Sequence, residues 1–391
     1  MYAATLRGRK NTAKRTKGPN GRPLFLPDEK DIRQQILTIQ EKYMTQAKGY
    51  AAHSAGEKLV KWDFERRDVG PGDVQFDILY CGVCHSDLHQ IRDDWFPGVY
   101  PMVPGHEIVG RVARVGEAVT KFKAGDLVGT GCMVDSCRQC DSCKDGLEQY
   151  CDNGNIQTYN NVNHYSDGMP AYGGYSNTIV VREEFVLSIS ESLPLANVAP
   201  LLCAGITTYS PLRHWKIGKG HKLAVLGLGG LGHMAVKFGV AFGAEVTVLS
   251  TSENKREDAL KLGAHRFVAT GDKEQFESVK NSFDFILDTV SAVHDIPAYM
   301  KLLKTNGVHI CVGVPPQPSL IPPFALIGNR KSVAGSMIGG IAETQEMLDF
   351  CAEHSIVSDV EVIDIAYIGT AYERMEKNDV RYRFVIDMST L

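Results

Sequence analysis

The chain has 391 residues, 43% apolar and 23% charged, with a formal net charge of −4. That length suggests two or three domains and enough material for a large core, in a composition typical of soluble globular proteins. So mild a charge argues against nucleic acid or an acidic substrate as the main partner, and the apolar runs fall far short of a membrane span or a signal peptide.

Residues 1–22 carry Arg7, Arg9, Lys10, Lys14, Arg15, Lys17 and Arg22 with no acidic residue. Such a stretch cannot bury enough apolar surface to offset its ordering entropy. Residues 1–43 therefore read as a disordered or non-native extension. A transit-like segment or a basic arm are alternatives; upstream sequence ahead of a start at Met44 is the preferred reading.

From about residue 73 to 200 the chain reads as strands and loops. Val74, Phe76, Ile78 and Tyr80 alternate with less apolar residues, the period of a half-buried strand. Gly105, Gly110, Gly116, Gly125, Gly129 and Gly131 then punctuate the chain. Within this region Cys137, Cys140, Cys143 and Cys151 form C-x2-C-x2-C-x7-C. Four soft thiolates in one loop suit a tetrahedral structural Zn²⁺. Disulfides would conflict with the reducing cytoplasmic setting expected of a long chain with clustered cysteines, and the spacing differs from ferredoxin runs.

From about 204 to 337 the pattern becomes strand and helix in alternation. Lys222–Leu226 is an apolar strand; Leu231, Met234, Ala235, Phe238 and Phe242 follow at helical spacing. Val246–Leu249, Phe283–Leu287 and Val308–Val312 read as further strands, Glu253–Leu262 as a helix and Pro315–Pro323 as a loop. This order predicts an α/β fold with a doubly wound parallel sheet, beside the β-rich, barrel-like first domain. The division expected is 44–203 with 338–391 for the cysteine-bearing first domain, the tail folding back, and 204–337 for the parallel-sheet domain.

Gly227-Leu228-Gly229-Gly230-Leu231-Gly232 follows the first of these strands and opens a helix. In that context GxGxxG is a dinucleotide turn: Gly227 for the bend, Gly229 for close approach of the pyrophosphate, Gly232 for helix packing. The helix N-terminus supplies N–H donors for the phosphates. An NAD enzyme places an acidic residue about 20 residues further on. Here Ser250, Thr251 and Ser252 stand there, followed by Lys255 and Arg256. Hydroxyls and cations without a carboxylate favour a 2′-phosphate, hence NADP(H).

A second metal site needs ligands from distant segments. Cys84 lies in Cys84-His85-Ser86-Asp87-Leu88-His89, His106-Glu107 follows Gly105, and Cys203 opens Cys203-Ala204-Gly205-Ile206-Thr207. Two Cys and one His leave a fourth position open, the pattern of a catalytic zinc.

These motifs together resemble the zinc-dependent medium-chain alcohol dehydrogenases, and more closely their cinnamyl-alcohol-dehydrogenase-like branch, which includes bacterial NADPH-dependent aldehyde reductases. The resemblance spans about residues 45–390 and includes Gly105–Val119 and Gly335-Ser336-Met337-Ile338-Gly339-Gly340. It implies a GroES-like catalytic domain and a Rossmann cofactor domain. It also implies catalytic-zinc ligands at Cys84, His106 and Cys203, with Glu107 at the metal and Asp87 steadying His106. Ser86 would start a proton relay running through the nicotinamide ribose to His89. Ser250, Thr251, Ser252 and Lys255 match the 2′-phosphate pocket. Thr207, Thr289, Gly313, Ser336, Met337 and Ile338 match positions lining the cofactor, and Trp95 an aromatic wall of the substrate pocket. Trp95 and Met102 suggest an apolar pocket. The family further implies two Zn²⁺ per subunit and a homodimer or homotetramer built by pairing the cofactor-domain sheets.

The activity expected is hydride transfer between NADP(H) and primary alcohols or aldehydes. The alternatives are an NAD-dependent zinc polyol dehydrogenase, which lacks its acidic ribose ligand here, and a zinc-ribbon nucleic-acid-binding protein, which lacks an aromatic–basic face. His85 reads either as a cofactor-phosphate contact or as a solvated loop histidine. The remaining histidines, among them His233, His294 and His309, are assigned to packing or surface.

Overall fold

The computed structural model describes residues 44–391; the expectations for residues 1–43 lie outside them. Residues Thr45–Leu391 form one compact unit. Strands β1 (Thr45–Ala51) and β2 (Val60–Arg66) pair as a hairpin. Then follow β3 (Asp73–Val83), helix α1 (His85–Ile91), β4 (Ile108–Val115), β5 (Leu127–Thr130), β6 (Thr178–Arg182) and β7 (Leu187–Ser188). Helix α2 (Ala204–His214) leads into β8 (Lys222–Leu226), α3 (Gly232–Ala241), β9 (Glu245–Ser250), α4 (Arg256–Lys261), β10 (Arg266–Ala269), β11 (Phe283–Asp288), β12 (Leu303–Cys311) and β13 (Ser332–Gly335). Helix α5 (Ile341–His354), β14 (Val360–Asp364) and β15 (Arg383–Asp387) complete the frame.

One sheet has seven strands in the order β7-β5-β4-β3-β15-β14, with β6 also paired to β3. Its spine is β3, whose alternating Val74, Phe76 and Ile78 point into a core with Ile108, Val112, Val128, Ile179 and Phe384. The chain's last strand therefore enters the first sheet: Phe384 pairs with Val83 and Ile386 with Cys81.

The other sheet is six-stranded and parallel, in the order β10-β9-β8-β11-β12-β13. The order reverses between β8 and β11, and a ligand crevice forms outside the carboxyl ends of strands at such a point. Leu223 and Val225 on β8 pack against Met234, Ala235 and Phe238 of α3 and against Val246 and Val248 of β9. Helix α5 also joins this core: Met347, Leu348 and Cys351 are buried there, and Tyr209 of α2 donates its hydroxyl to Glu346 at 2.8 Å. The segment after residue 337 thus divides between the two sheets.

Two expected elements differ in extent. The helix expected over Glu253–Leu262 begins as a 3-10 turn, Glu253–Lys255, before α4. Strand β12 starts at Leu303 rather than Val308, because Leu303 pairs with Phe283 ahead of the polar stretch Lys304–Asn306.

Candidate active site

Cys84 ends the connection from β3 and caps α1, so the turn of the chain presents its sulfur at the helix start. His106 follows Gly105, whose φ of +100° is a left-handed backbone only glycine adopts readily. Cys203 caps α2 after a 3-10 turn at Ala199–Leu202. These three segments bring ligand atoms of Cys84, His106, Glu107 and Cys203 within 4.8 Å of one another. His106, Glu107 and Cys203 are buried. A hydrogen bond from the Cys203 thiol, then the charges of Arg383 and His106, hold the Cys84 thiol well below its ordinary range. Hydrogen bonds with Cys132 and then Cys84, together with burial, raise the Cys203 thiol well above its ordinary range. Burial pushes Glu107 up to about 7 against the pull of Arg383. Glu107 Oε2 is buried without a hydrogen-bond partner. Two sulfurs, an imidazole and a carboxylate with a spare oxygen form a donor set that fits a zinc ion.

Asp87 orients this set. It is fully buried. Its Oδ2 accepts from the Cys84 backbone N–H at 2.9 Å and the Tyr175 hydroxyl at 3.2 Å. Its Oδ1 accepts from Gly105 N–H at 3.2 Å and faces His106 Nδ1 at 3.1 Å. A carboxylate on Nδ1 fixes the tautomer and leaves the Nε2 lone pair for a metal.

Ser86 Oγ lies 3.5 Å from Cys84 Sγ. Ser86 and His89 are three residues apart on α1 and share one helix face. His89 Nδ1 meets Asp94 Oδ2 at 2.8 Å, and its ring stacks on Trp95 with centroids 4.9 Å apart. Met102, expected with Trp95 to give an apolar pocket, lies in the core, 1% exposed. Its backbone pairs with Ala52 in both directions, which turns the side chain inward. His85 opens α1 and is exposed.

The thiols of Cys137, Cys140, Cys143 and Cys151 also lie within 4.8 Å of one another. Backbone N–H groups of Gln139 and Cys140 point at Cys137 Sγ at 3.5 and 3.3 Å, and that of Asp152 at Cys140 Sγ at 3.4 Å. Donors aimed at sulfur favour thiolate. A hydrogen bond from Asn153, with those of Gln139 and Cys140, brings Cys137 down to about 6. All ten cysteines are free. Four sulfurs with no open position fit a structural zinc.

At the crevice, Gly227 has φ +92°. A Cβ at Gly232 would strike the Gly227 carbonyl oxygen, whereas one at Gly229 would meet nothing within 4 Å. The middle of the turn is thus open to a ligand. Leu228 and Leu231 flank it, and Lys255 Nζ donates to the Leu228 carbonyl at 3.0 Å. Ser250 ends β9, followed by Thr251 and Ser252, with no carboxylate among them. Arg256, expected as a second cation, is occupied elsewhere: its guanidinium pairs with Glu253 and donates to Gln275 at 3.1 Å. Thr289 Oγ donates to the Leu226 carbonyl at 2.8 Å, and Gly313 lies against the Val290 backbone. Ser336, Met337 and Ile338 follow β13, and Thr207 sits in the first turn of α2.

Arg383 has no role in the sequence analysis, and the histidines assigned there to packing or surface have specific partners. Arg383, the first residue of β15, pairs with Glu107 and donates to the Val83 carbonyl at 3.0 Å. Its side chain also fills the space where a Cβ at Gly230 would stand. One buried cation thus touches both the donor cluster and the glycine turn. His233 lies under that turn, facing the Gly229 carbonyl at 3.2 Å and Ser358 Oγ at 3.0 Å. Asp288 Oδ2 sits between His294 Nε2 at 2.7 Å and His309 Nε2 at 3.0 Å, and its backbone carbonyl accepts from Val312 and Gly313. The two imidazoles hold its carboxyl below the ordinary range despite burial. The sequence carries no signal for these pairings, whose partners lie far apart along the chain.

Residues 70–191 match the family model described as alcohol dehydrogenase GroES-like domain, and residues 230–353 the one described as zinc-binding dehydrogenase. The chain is 57% identical over 349 residues to NADP-dependent alcohol dehydrogenase C 1 of Mycolicibacterium smegmatis, an alignment covering 89% of this chain and 99% of that protein. It is 55% identical over 346 residues to aldehyde reductase YahK of Escherichia coli, covering 88% and 99%. Among solved structures, cinnamyl alcohol dehydrogenase SbCAD4 from Sorghum bicolor superposes with a TM-score of 0.86 at 49% identity, covering 88% of this chain and 98% of that one.

Proposed function

Because the chain belongs to the zinc-binding alcohol dehydrogenases, in their cinnamyl-alcohol-dehydrogenase-like branch, we propose that it transfers a hydride between NADP(H) and primary alcohols or aldehydes, with aldehyde reduction over a broad range as its main use. The observation that carries this reading is the convergence of Cys84, His106 and Cys203 within 4.8 Å, joined through Glu107 and Arg383 to an open glycine turn. Residues 44–203 with the two final strands form the zinc-binding part, and 204–337 with α5 the cofactor part.

Cys84, His106 and Cys203 hold the catalytic zinc, with Glu107 as an alternative ligand; Cys137, Cys140, Cys143 and Cys151 hold the structural one. When bound, the catalytic zinc supplies Lewis acidity to the substrate oxygen, and the nicotinamide supplies or accepts the hydride. The protein's own groups position and move protons. Asp87 keeps His106 in the ligating tautomer. Ser86, beside Cys84, accepts the alcohol proton in oxidation and returns it in reduction. His89, one turn along the same helix face and 30% exposed at its side chain, exchanges that proton with solvent, while Asp94 fixes its ring through Nδ1. Trp95, stacked on His89, walls the substrate side. Arg383 neutralises Glu107 and supports the turn beneath the pyrophosphate.

The 2′-phosphate is held by Ser250, Thr251, Ser252 and Lys255, a set with no repelling carboxylate. Thr207, Thr289, Gly313 and Ser336–Ile338 line the rest of the cofactor. The enzyme acts as a homodimer through the free edge of β13; Phe324 and Ile327, 82% and 66% exposed just before that strand, supply apolar surface for the contact. No helix among the described residues is long and apolar enough to cross a membrane. A cytoplasmic setting is supported by ten free thiols.

The test is a panel of aromatic and aliphatic aldehydes assayed with NADPH and with NADH, on metal-replete and chelated enzyme. A much higher kcat/KM with NADPH, lost on chelation, is the expected result. Preference for NADH, or full activity without metal, overturns the reading.

A further inference from the structure

The loop Ser336–Gly340 joins β13 to α5 and carries a strained residue. Ile338 has φ +39°. A β-branched residue rarely takes a left-handed backbone, and it stays there only when its surroundings hold it. Those surroundings come from the four-cysteine lobe. Between Cys143 and Cys151 the lobe makes a 3-10 turn, Glu148–Tyr150. The Tyr150 hydroxyl oxygen accepts the Met337 backbone N–H at 3.0 Å. Glu148 Oε2 accepts the Ile341 backbone N–H at 3.0 Å. The second bond caps α5, a helix of 14 residues whose own N-cap, Gly340, has no side chain to do so. Gly340 itself packs so close to Gly146 that a Cβ would strike the Gly146 carbonyl oxygen. The lobe therefore grips the loop on both sides of Ile338, and Ile338 packs against the cores of both sheets.

The sheet order says which end of the cofactor this loop serves. Ser250 and Lys255 lie beyond β9, on one side of the switch point; Thr289, Gly313 and Ser336 follow β11, β12 and β13 on the other. With the 2′-phosphate at the first group, the nicotinamide lies over the second.

We propose that the four-cysteine lobe is a clamp on the nicotinamide loop, with Glu148 and Tyr150 as its positioning residues. The inference rests on the NADP(H) reading above. It gives the lobe's metal a task beyond holding the lobe together. Thiolates clustered around one ion fix the turn that carries Glu148 and Tyr150, and that turn fixes Ile338.

Two ligands separate the ends of the cofactor site: NADPH spans it, whereas 2′,5′-ADP occupies only the adenosine end. Both are titrated calorimetrically into zinc-loaded wild-type enzyme and into Tyr150→Phe, Glu148→Ala, the double variant and Glu148→Gln. The double variant binds NADPH about tenfold more weakly, the scale of losing two modest hydrogen bonds, and binds 2′,5′-ADP as wild type does. Glu148→Gln, which keeps an acceptor, recovers most of the Glu148→Ala loss. Zinc stays at two per chain throughout. Unchanged NADPH affinity overturns the clamp, and so does an equal loss for both ligands, which reports general loosening of the cofactor half. Wild-type enzyme that binds neither ligand sinks the NADP(H) reading itself, and the clamp with it.

Discussion

The glycine turn at Gly227–Gly232 and the donor cluster at Cys84, His106 and Cys203 lie in one compact unit but are built by different means. The turn is contiguous, and what it offers is backbone: a tight bend at Gly227 and an open face at Gly229. It needs one strand before it and one helix after it. The cluster offers side chains, drawn from the end of β3, the start of β4 and the cap of α2. Its geometry depends on the register of the seven-stranded sheet and on the seating of α2 in the core of the parallel sheet, where Ala204, Ile206, Tyr209 and Leu212 are buried. What the turn offers a phosphate is thus a local property of this molecule, and the donor cluster a global one. A substitution in either place should leave the other's readout in place.

The sharpest way to break that division is Cys84→Ser. Turnover should fall by about three orders of magnitude, the scale of losing a preorganised electrostatic stabiliser. One of two zinc ions should be lost, and NADPH affinity by fluorescence titration should stay within about twofold. A parallel collapse of NADPH binding would show that the two sites are not separable. Asp87→Asn is the milder version. The amide keeps the volume, but its NH2 accepts no hydrogen bond, so the two that now reach one carboxylate oxygen are lost, and His106 loses the charged partner that sets its tautomer. Metal affinity, measured by competition with a chelator, should drop about 10- to 100-fold. Affinity equal to wild type would remove Asp87 from its orienting role.

The same division explains what could be read without coordinates. The glycine turn and the four-cysteine lobe are legible because their parts are close in sequence and their spacing has few physical explanations. Strand β8 and helix α3 follow from periodicity. The second donor set is legible only as a joint pattern, which the family resemblance strengthens, since a buried cysteine in isolation is more often packing than ligand. Arg383 was invisible: its partner Glu107 is 276 residues away, and only the insertion of β15 beside β3 brings them together. Apolar character alone does not separate a pocket wall from core, and Met102, expected at the pocket, packs in the core. Arg256 looked like a free cation beside Lys255, but Glu253 on the preceding turn claims it.

On the binding side, Lys255→Ala should raise the KM for NADPH about tenfold, the scale of one hydrogen bond to a charged group, and leave that for NADH unchanged. Its ammonium reaches the Leu228 carbonyl, so it stands beside the glycine turn. Zinc content and kcat at saturating NADPH should not move. Equal losses with both cofactors would mean that Lys255 supports the turn rather than reading the 2′-phosphate.

The smallest effect expected lies at the seam, where His233 joins the turn to the segment that carries β14 and β15. Its ring contacts Gly229 and Ser358 and stacks on Tyr382, with centroids 4.8 Å apart. Burial, with the charges of Lys237 and Arg383, lowers its pKa from 6.5 to about 3. The native state therefore refuses a proton that the unfolded chain accepts. Above pH 6.5 neither state is protonated there and the residue adds no pH dependence. Below that, stability falls as pH drops, with a slope approaching about 1.4 kcal/mol per pH unit until the native pKa is reached. His233→Gln removes the titration. It should cost about 1 kcal/mol at pH 7.5 through the lost contacts, yet flatten the decline of the urea midpoint between pH 6.5 and 5 relative to wild type. If the two proteins lose stability in parallel over that range, the buried imidazole is not the group that couples the seam to pH.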